Sequence, residues 1–448
     1  MSQAASAWTA SGRPASARRR YMAPSTALCW LALVTAFGLS HLMLERLGIA
    51  YETSGGASWQ KIAPATYLSI IAILALAIEQ GPENLLNDVV RRHKGTLVLA
   101  FAWLIQFFQL VIIIGAPLTP TIDTFIYPIC LLVLIARQDE RTMYHMALFI
   151  HFFMAVNAII AGVEFVTQTR ITPMFANGIE LVDWRSSALF GHPLMNALAT
   201  GCYALALMLG GGRSLPRVLF LPALGLQMVA MVFFGGRAAT ALLVVFAVVL
   251  GARHAVTILL GRRFSALAAA IAFVLVPTLV VAGGILVAEG FLDRFLLRFV
   301  DDEGSAQARL IMFDVLGRFS WQELLVGPDA GTLATLQRVY GIPFGIESFW
   351  FAFIAFYGIL TSIPIFLGLF AFLYDIRRLS TVHAWWVIGF FLAVCSTSLS
   401  LAGKSTTMGV LLATIIVTMR PAMRQSSRVE ISAARPAPHR NRRSPKQA

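Results

Sequence analysis

The chain has 448 residues, of which 58% are hydrophobic and only 13% charged, with a formal net charge of +13. That charge content is too low to cover the surface of a soluble protein of this length, so a water-soluble globular enzyme is excluded. Nor does the basic excess point to nucleic acid: it sits in the tails and in alternate short loops, the arrangement that orients membrane proteins.

The chain opens with a polar, basic tail over 1–24, "MSQAASAWTASGRPASARRRYMAP". The apolar run after it is too long for a cleaved signal peptide and lacks a clear cleavage site, so it is taken as the first span. Apolar runs of about 20 residues then recur, each long enough to cross a hydrocarbon core of about 30 Å. The period-two alternation of a membrane β-barrel is absent. The expected fold is all-α and polytopic, with about twelve transmembrane helices. They fall at roughly 25–44, 61–80, 95–115, 118–136, 142–163, 186–209, 215–233, 238–252, 264–288, 346–374, 382–399 and 403–419. Helices one to nine fill 25–288 and helices ten to twelve fill 346–419.

The basic residues set the orientation. With the N-terminus inside, the inward segments hold 24 of the 35 Lys and Arg, including "RRHK" at 91–94, "RQDER" at 137–141 and the tail from Arg420. The short outward loops are nearly free of them, so both ends are expected in the cytoplasm. The tail over 420–448 is Pro-, Ser- and Arg-rich, and is taken as disordered and attracted to anionic lipid heads. Cys29, Cys130, Cys202 and Cys395 all lie inside apolar runs, with no metal-ligand spacing and no disulfide framework.

One sizeable element, 289–345, is expected outside the membrane on the outer face. Within it Ala308, Ile311, Met312, Val315, Leu316 and Phe319 keep helical spacing, with Ser305 as a candidate N-cap. The spacing predicts an amphipathic helix lying against the outer ends of the spans, its polar face carrying Arg309 and Arg318.

Ionisable residues inside spans are costly and mark function by default. Mid-span carboxylates are expected to be missing here, and His145 and His151 of the fifth span are the main exceptions. That weakens a coupled transporter, which needs buried acids or broken helices near the midplane. Charge gathers instead at the outer ends. Arg185 opens the sixth span in "WRSSALFGHPLMNALATG", Arg237 the eighth in "FFGGRAAT", Glu347 the tenth in "GIESFWFAFIAFYGIL", and Lys404 the twelfth in "LAGKSTT". Arg170 and Arg309 sit in the two longer outer segments. Several guanidinium groups beside one carboxylate suit a pyrophosphate held next to an acceptor, because arginine forks pair with phosphate oxygens at any physiological pH. Each residue also has a plainer explanation. A span-end Arg commonly anchors to lipid heads, a first-turn Glu complements the helix dipole, and His192 in "GHP" suits a satisfied interface residue. Arg237 fits the plain explanation least, since it interrupts a very short outward loop.

Four of these segments, in order over about 185–375, resemble the O-antigen ligase and O-antigen polymerase family. "RSSALFGHPLMNALATG" resembles its Arg, Gly, Asn/His-Pro, Asn pattern, and "FFGGRAATALLVVFAVVLG" its Ser/Gly-Arg-Gly/Ala segment. "ARLIMFDVLGRFSWQELLVGPDAGT" is similar to its outer-loop pattern. "IESFWFAFIAFYGIL" is similar to the segment in which ligases carry His with Gly eleven residues later; here Gly358 stands eleven after Glu347. The resemblance implies an integral enzyme of the bacterial inner membrane, free of cofactor and metal. Such enzymes take a glycan from an undecaprenyl diphosphate carrier at the periplasmic face. They join it to lipid A core, to another lipid-linked repeat, or to protein. It implies that Arg185, Arg237, Arg309, His192 and Lys404 bind the pyrophosphate, with Arg237 and Glu347 catalytic. Glu347 stands where ligases place His, which favours an inverting exopolysaccharide or O-antigen polymerase over a ligase. "GHPLMN" has two more residues between Pro and Asn than the family pattern, so no role is carried to Asn196. The expected partners are the lipid-linked donor, a glycan acceptor, the bilayer and other polysaccharide export proteins, with no nucleic acid. The alternatives are a ligase acting on lipid A core, a transporter or flippase for lipid-linked glycan, and a non-catalytic scaffold.

Overall fold

The computed structural model describes residues 22–53, 55–115, 118–172, 175–176, 179–180, 185–261, 305–342, 346–398 and 401–421. The expected ninth span, the outer stretch 289–304 and both basic tails lie outside the described residues, save for a residue or two where each tail meets its helix.

The described chain is helical apart from a two-residue antiparallel ladder, β1 (Phe175–Ala176) with β2 (Ile179–Glu180). In order, its helices are α1 (Pro24–Gly38), α2 (His41–Arg46), α3 (Pro64–Gln80), α4 (Pro82–Arg92) and α5 (Lys94–Phe107). Next come α6 (Thr119–Ile135), α7 (Glu140–Thr167), α8 (Pro193–Met208), α9 (Arg217–Phe234) and α10 (Arg237–Leu259). After the undescribed stretch follow α11 (Ser305–Leu316), α12 (Trp321–Val326), α13 (Ala330–Val339) and α14 (Phe349–Tyr357). The chain closes with α15 (Ile359–Arg378), α16 (Ala384–Cys395) and α17 (Thr407–Thr418).

Among the described residues, five helices are long and apolar enough to cross a membrane. They are α5 with its π-helical continuation, α7, α9, α10 and α15. The pair α3 and α4, bent by 110° at Gly81, makes a sixth if counted as one broken span. The bend follows from sequence: Gly81 sits at φ +86°, and Pro82 cannot extend a helix from its amide side. Five shorter apolar helices, α1, α6, α8, α16 and α17, share the same core. α17 is buried along its whole length, so its short apolar stretch is surrounded by protein.

Glycines set the closest helix contacts. A Cβ at Gly95 would overlap the Ala371 carbonyl, and one at Gly368 would lie 2.8 Å from the Leu99 Cα, so α5 and α15 touch through two reciprocal glycines. Backbone-to-backbone approach of this kind is how helices associate where no hydrophobic drive separates helix from lipid. At the end opposite the candidate site, Asp88 takes hydrogen-bonded ion pairs from Arg92 (2.8 Å) and Arg137 (2.6 Å), and Asp375 accepts from the Thr96 amide (2.8 Å).

Several expectations are corrected. The sixth span does not begin at Arg185: α8 starts at Pro193, and 185–192 is a compact turn ahead of it. The fifth runs on to Thr167, which draws Glu164 into the helix. The tenth is two helices, α14 and α15, broken at Gly358, where φ +79° and ψ 164° suit glycine alone. In the described part of the expected outer element, 305–342, there are three helices, α11 to α13. Met312, Val315 and Phe319 are buried as the spacing predicts, while Ser305 is the first helical residue. Buried carboxylates do occur in the apolar helices, near their ends: Asp123 inside the π-helical turn of α6, Glu164 in the last turn of α7 and Asp375 in the last turn of α15.

Candidate functional site

The C-terminal end of α7 and the N-terminal end of α8 meet around the turn 185–192, which is held by three polar side chains of these helices. Glu164 is 3% exposed, and its Oε2 accepts from the Ser186 hydroxyl (2.5 Å), the Ser187 amide (2.9 Å) and the Ala188 amide (2.8 Å). Its Oε1 accepts from the Ile171 amide at 2.8 Å. Asn157 accepts from the Leu189 amide at 2.9 Å and donates to Asn196 at 2.9 Å. Asn196 donates in turn to the carbonyls of Ser187 and His192, at 2.5 and 3.0 Å. Such a carboxylate substitutes for the missing secondary structure of a buried turn, whose amides must find acceptors. Ala188 is thereby fixed at φ +36°, and Gly191, at φ +77°, packs on Ser40.

This turn brings two of the expected site residues together. The Ser186 amide donates to the Phe233 carbonyl at 3.0 Å, so Arg185 lies beside the last turn of α9, and Arg237 begins α10 four residues on. Between them Gly236 packs on Ala197 of α8, where an added Cβ would come within 2.5 Å of the alanine methyl. Both arginines are half-buried. His192 is the N-cap of α8, its Nδ1 accepting from the Leu194 amide at 3.2 Å. Arg309 lies in α11.

Glu347 is half-buried between the buried Ile346 and Ser348, just ahead of α14. It therefore heads a nine-residue helix and not the helix long and apolar enough to cross a membrane, which starts beyond Gly358. α14 is fixed by Trp350, whose Nε1 donates to Ser396 at 2.7 Å, and by edge-to-face packing of Phe353 on Phe125 and of Phe351 on Phe313. Gln109, in the π-helical turn of α5, donates to the Tyr357 carbonyl at 2.8 Å and also to that of Val326. Gly327 rests on Gly358, so the outer helices are seated on the break itself.

Lys404 is placed elsewhere, in a second cluster. Its Nζ donates to the Tyr51 carbonyl at 2.6 Å and lies 3.4 Å from the centre of the Tyr51 ring. Desolvation lowers its pKa to about 8, against opposing pulls from Asp123 and Glu52. Asp123 accepts from the Tyr51 hydroxyl (2.6 Å), the Thr66 hydroxyl (2.6 Å) and the Ala63 amide (3.0 Å). His151 of α7 is bonded through both ring nitrogens, to Tyr203 and Ser214 at 2.7 Å each, as a structural histidine would be.

The residues that sequence reasoning passed over are Asn157, Glu164, Asp123 and Tyr51. Glu164 carried a usable signal, an acid just inside the end of a long apolar run. Asn157 and Asp123 carried the same signal in weaker form, as lone polar residues within apolar runs.

Searches against protein-family models, curated proteins and solved structures find no match to this chain.

Proposed function

We propose that this chain is a glycosyltransferase of the bacterial inner membrane with about twelve spans and both ends in the cytoplasm. It faces the periplasm and moves a glycan from an undecaprenyl diphosphate carrier to a sugar hydroxyl, as an exopolysaccharide or O-antigen polymerase. The observation that carries this reading is the 3.0 Å bond from the Ser186 amide to the Phe233 carbonyl. It sets Arg185 and Arg237 in one layer beside a turn built to be rigid.

In the proposed reaction Arg185, Arg237 and Arg309 hold the diphosphate and stabilise the charge that develops on it. His192 lines the same mouth. Glu347 orients the acceptor hydroxyl and takes its proton as the oxygen attacks the anomeric carbon. The bond from that carbon to the phosphate oxygen breaks, undecaprenyl diphosphate departs, and Glu347 returns the proton to water. A single displacement inverts the anomeric centre. Lys404, held on Tyr51, is left out of this set.

A transporter for lipid-linked glycan is the runner-up, and Asp123 with the broken helices at Gly81 and Gly358 favours it. The carboxylate of Asp123 is, however, taken up by three donors, the arrangement of a structural pin. Changing Arg237 to Ala should abolish product while the protein stays in the membrane; unaltered polymer length and yield would sink the assignment. Deleting the gene separates the classes. Accumulated single lipid-linked repeats mean a polymerase and accumulated long carrier-linked polymer means a ligase. No accumulation favours a transporter or scaffold.

A further inference from the structure

One cavity lined by described residues includes neither Arg185 nor Arg237 in its wall. It has a volume of about 610 Å³ and lies between α2 and the C-terminal end of α7. Met43, Leu47, Ile160 and Val163 form its apolar walls, and Arg46, Glu164, Thr169 and Arg170 its polar end. That volume is in the range of small-molecule sites, about 300–1,000 Å³.

Three observations say what it takes. First, the polar end is built. The Ile171 peptide is clamped on both sides, its amide on Glu164 Oε1 at 2.8 Å and its carbonyl on Arg46. This fixes the segment that carries Arg170. Second, the field is cationic. Two guanidinium groups, Arg46 and Arg170, stand against the one carboxylate of Glu164, whose oxygens are already taken up by four donors. Third, the cavity borders an exposed apolar surface. Phe152, Ile159, Val163 and Val166 are all exposed and lie on one face of α7, a helix long and apolar enough to span. Val163 belongs both to that stripe and to the cavity wall.

A cationic end and an apolar wall continuous with an exposed apolar stripe, on a helix long enough to span a membrane, describe an amphiphile with an anionic head. We infer that this cavity binds a lipid phosphate, its phosphate held by Arg46 and Arg170 and its hydrocarbon chain laid along Val163, Ile160 and Leu47. Arginine suits the task because its planar fork pairs with phosphate oxygens in a bidentate manner. The inference does not rest on the glycosyltransferase reading: the cavity borders the Arg185 turn through Glu164, but the inference concerns a binding event with no chemistry.

The test uses the full chain, purified in detergent and reconstituted in nanodiscs of zwitterionic lipid. Binding is titrated with short-chain phosphatidic acid, with phosphatidylcholine of equal chain length, and with inorganic phosphate. The expected result is saturable binding of phosphatidic acid at one site per chain, with at least tenfold weaker binding of the other two. Arg46→Gln with Arg170→Gln should weaken phosphatidic acid at least tenfold. Val163→Trp, which keeps both arginines and fills the cavity, should do the same and covers the case in which the double variant fails to fold. Equal binding of inorganic phosphate would overturn the lipid part. Equal binding of phosphatidylcholine would overturn phosphate recognition. Undiminished binding in Val163→Trp would place the lipid elsewhere and refute the site.

Discussion

Glu164 offers the sharpest test of how the candidate site is built. Replacing it with Ala removes the acceptor of three backbone amides, those of Ser187, Ala188 and Ile171, and of the Ser186 hydroxyl. The hydroxyl can rotate to another partner, but the amides are fixed by their turn. Each buried amide left without a partner costs about 1–3 kcal/mol. Because the Ile171 amide is only partly buried, a total of about 3–6 kcal/mol is expected. That is a large share of the roughly 5–15 kcal/mol that holds a typical domain folded. Glu164→Gln keeps one oxygen and so should lose less, about 1–3 kcal/mol by the same reckoning. Equilibrium unfolding of the purified protein in mixed micelles, followed by tryptophan fluorescence, measures both. A loss below about 0.5 kcal/mol for the Ala variant is the scale of an ordinary surface change. That result would refute the claim that this carboxylate holds the turn, and with it the rigidity argued for the arginine layer.

Other outcomes follow from the same geometry. Gly358→Ala should destabilise the protein by at least about 1–3 kcal/mol, the cost of a non-glycine residue in that backbone region. The added methyl also meets the Gly327 amide at 2.5 Å, and a thermal shift within error of the parent would contradict this. Gly95→Val should impair folding, because the new side chain meets the Ala371 carbonyl, which cannot turn away; full yield of monodisperse protein would count against the helix pairing. Lys404 gives a pH signature. Its folded pKa of about 8 lies below the ordinary lysine value of 10.5, so the unfolded chain binds more protons between those values. Stability should therefore rise as pH increases from about 8 to about 10.5. Lys404→Met should flatten that rise; identical pH profiles for parent and variant would remove Lys404 as its source.

Hydrophobic run length located several of the apolar helices, since α3, α5, α6, α7 and α9 each fall within a few residues of an expected span. It failed where the chain changes direction inside an apolar run. "FWFAFIAFYGILTSIPIFLG" reads as one helix because glycines inside spans usually serve packing, and nothing local marks Gly358 as a break. Gly81-Pro82 was a legible breaker, since that dipeptide favours turns. The site divides the same way. Arg185 and Arg237 were visible as charges at the ends of apolar runs. What joins them is a backbone bond between Ser186 and Phe233, which leaves no trace in residue type. Lys404 showed the same charge pattern, yet an aromatic ring from a loop more than 350 positions earlier in the chain claims it. Sequence gives a charge its depth in the membrane, but its partners come from tertiary packing.

Gln109 has a consequence of a mechanical kind. One amide group grips two carbonyls, at Val326 and Tyr357, both more than 200 positions later in the chain, and Gly327 is wedged on Gly358 beside it. The junction of α12 and α13, the nine-residue helix led by Glu347 and the start of α15 thus share a single pivot, so that tilting one pulls on the others. A ligand pressing on the outer helices would transmit force to the backbone that carries Glu347, and loosening Gln109 would uncouple them.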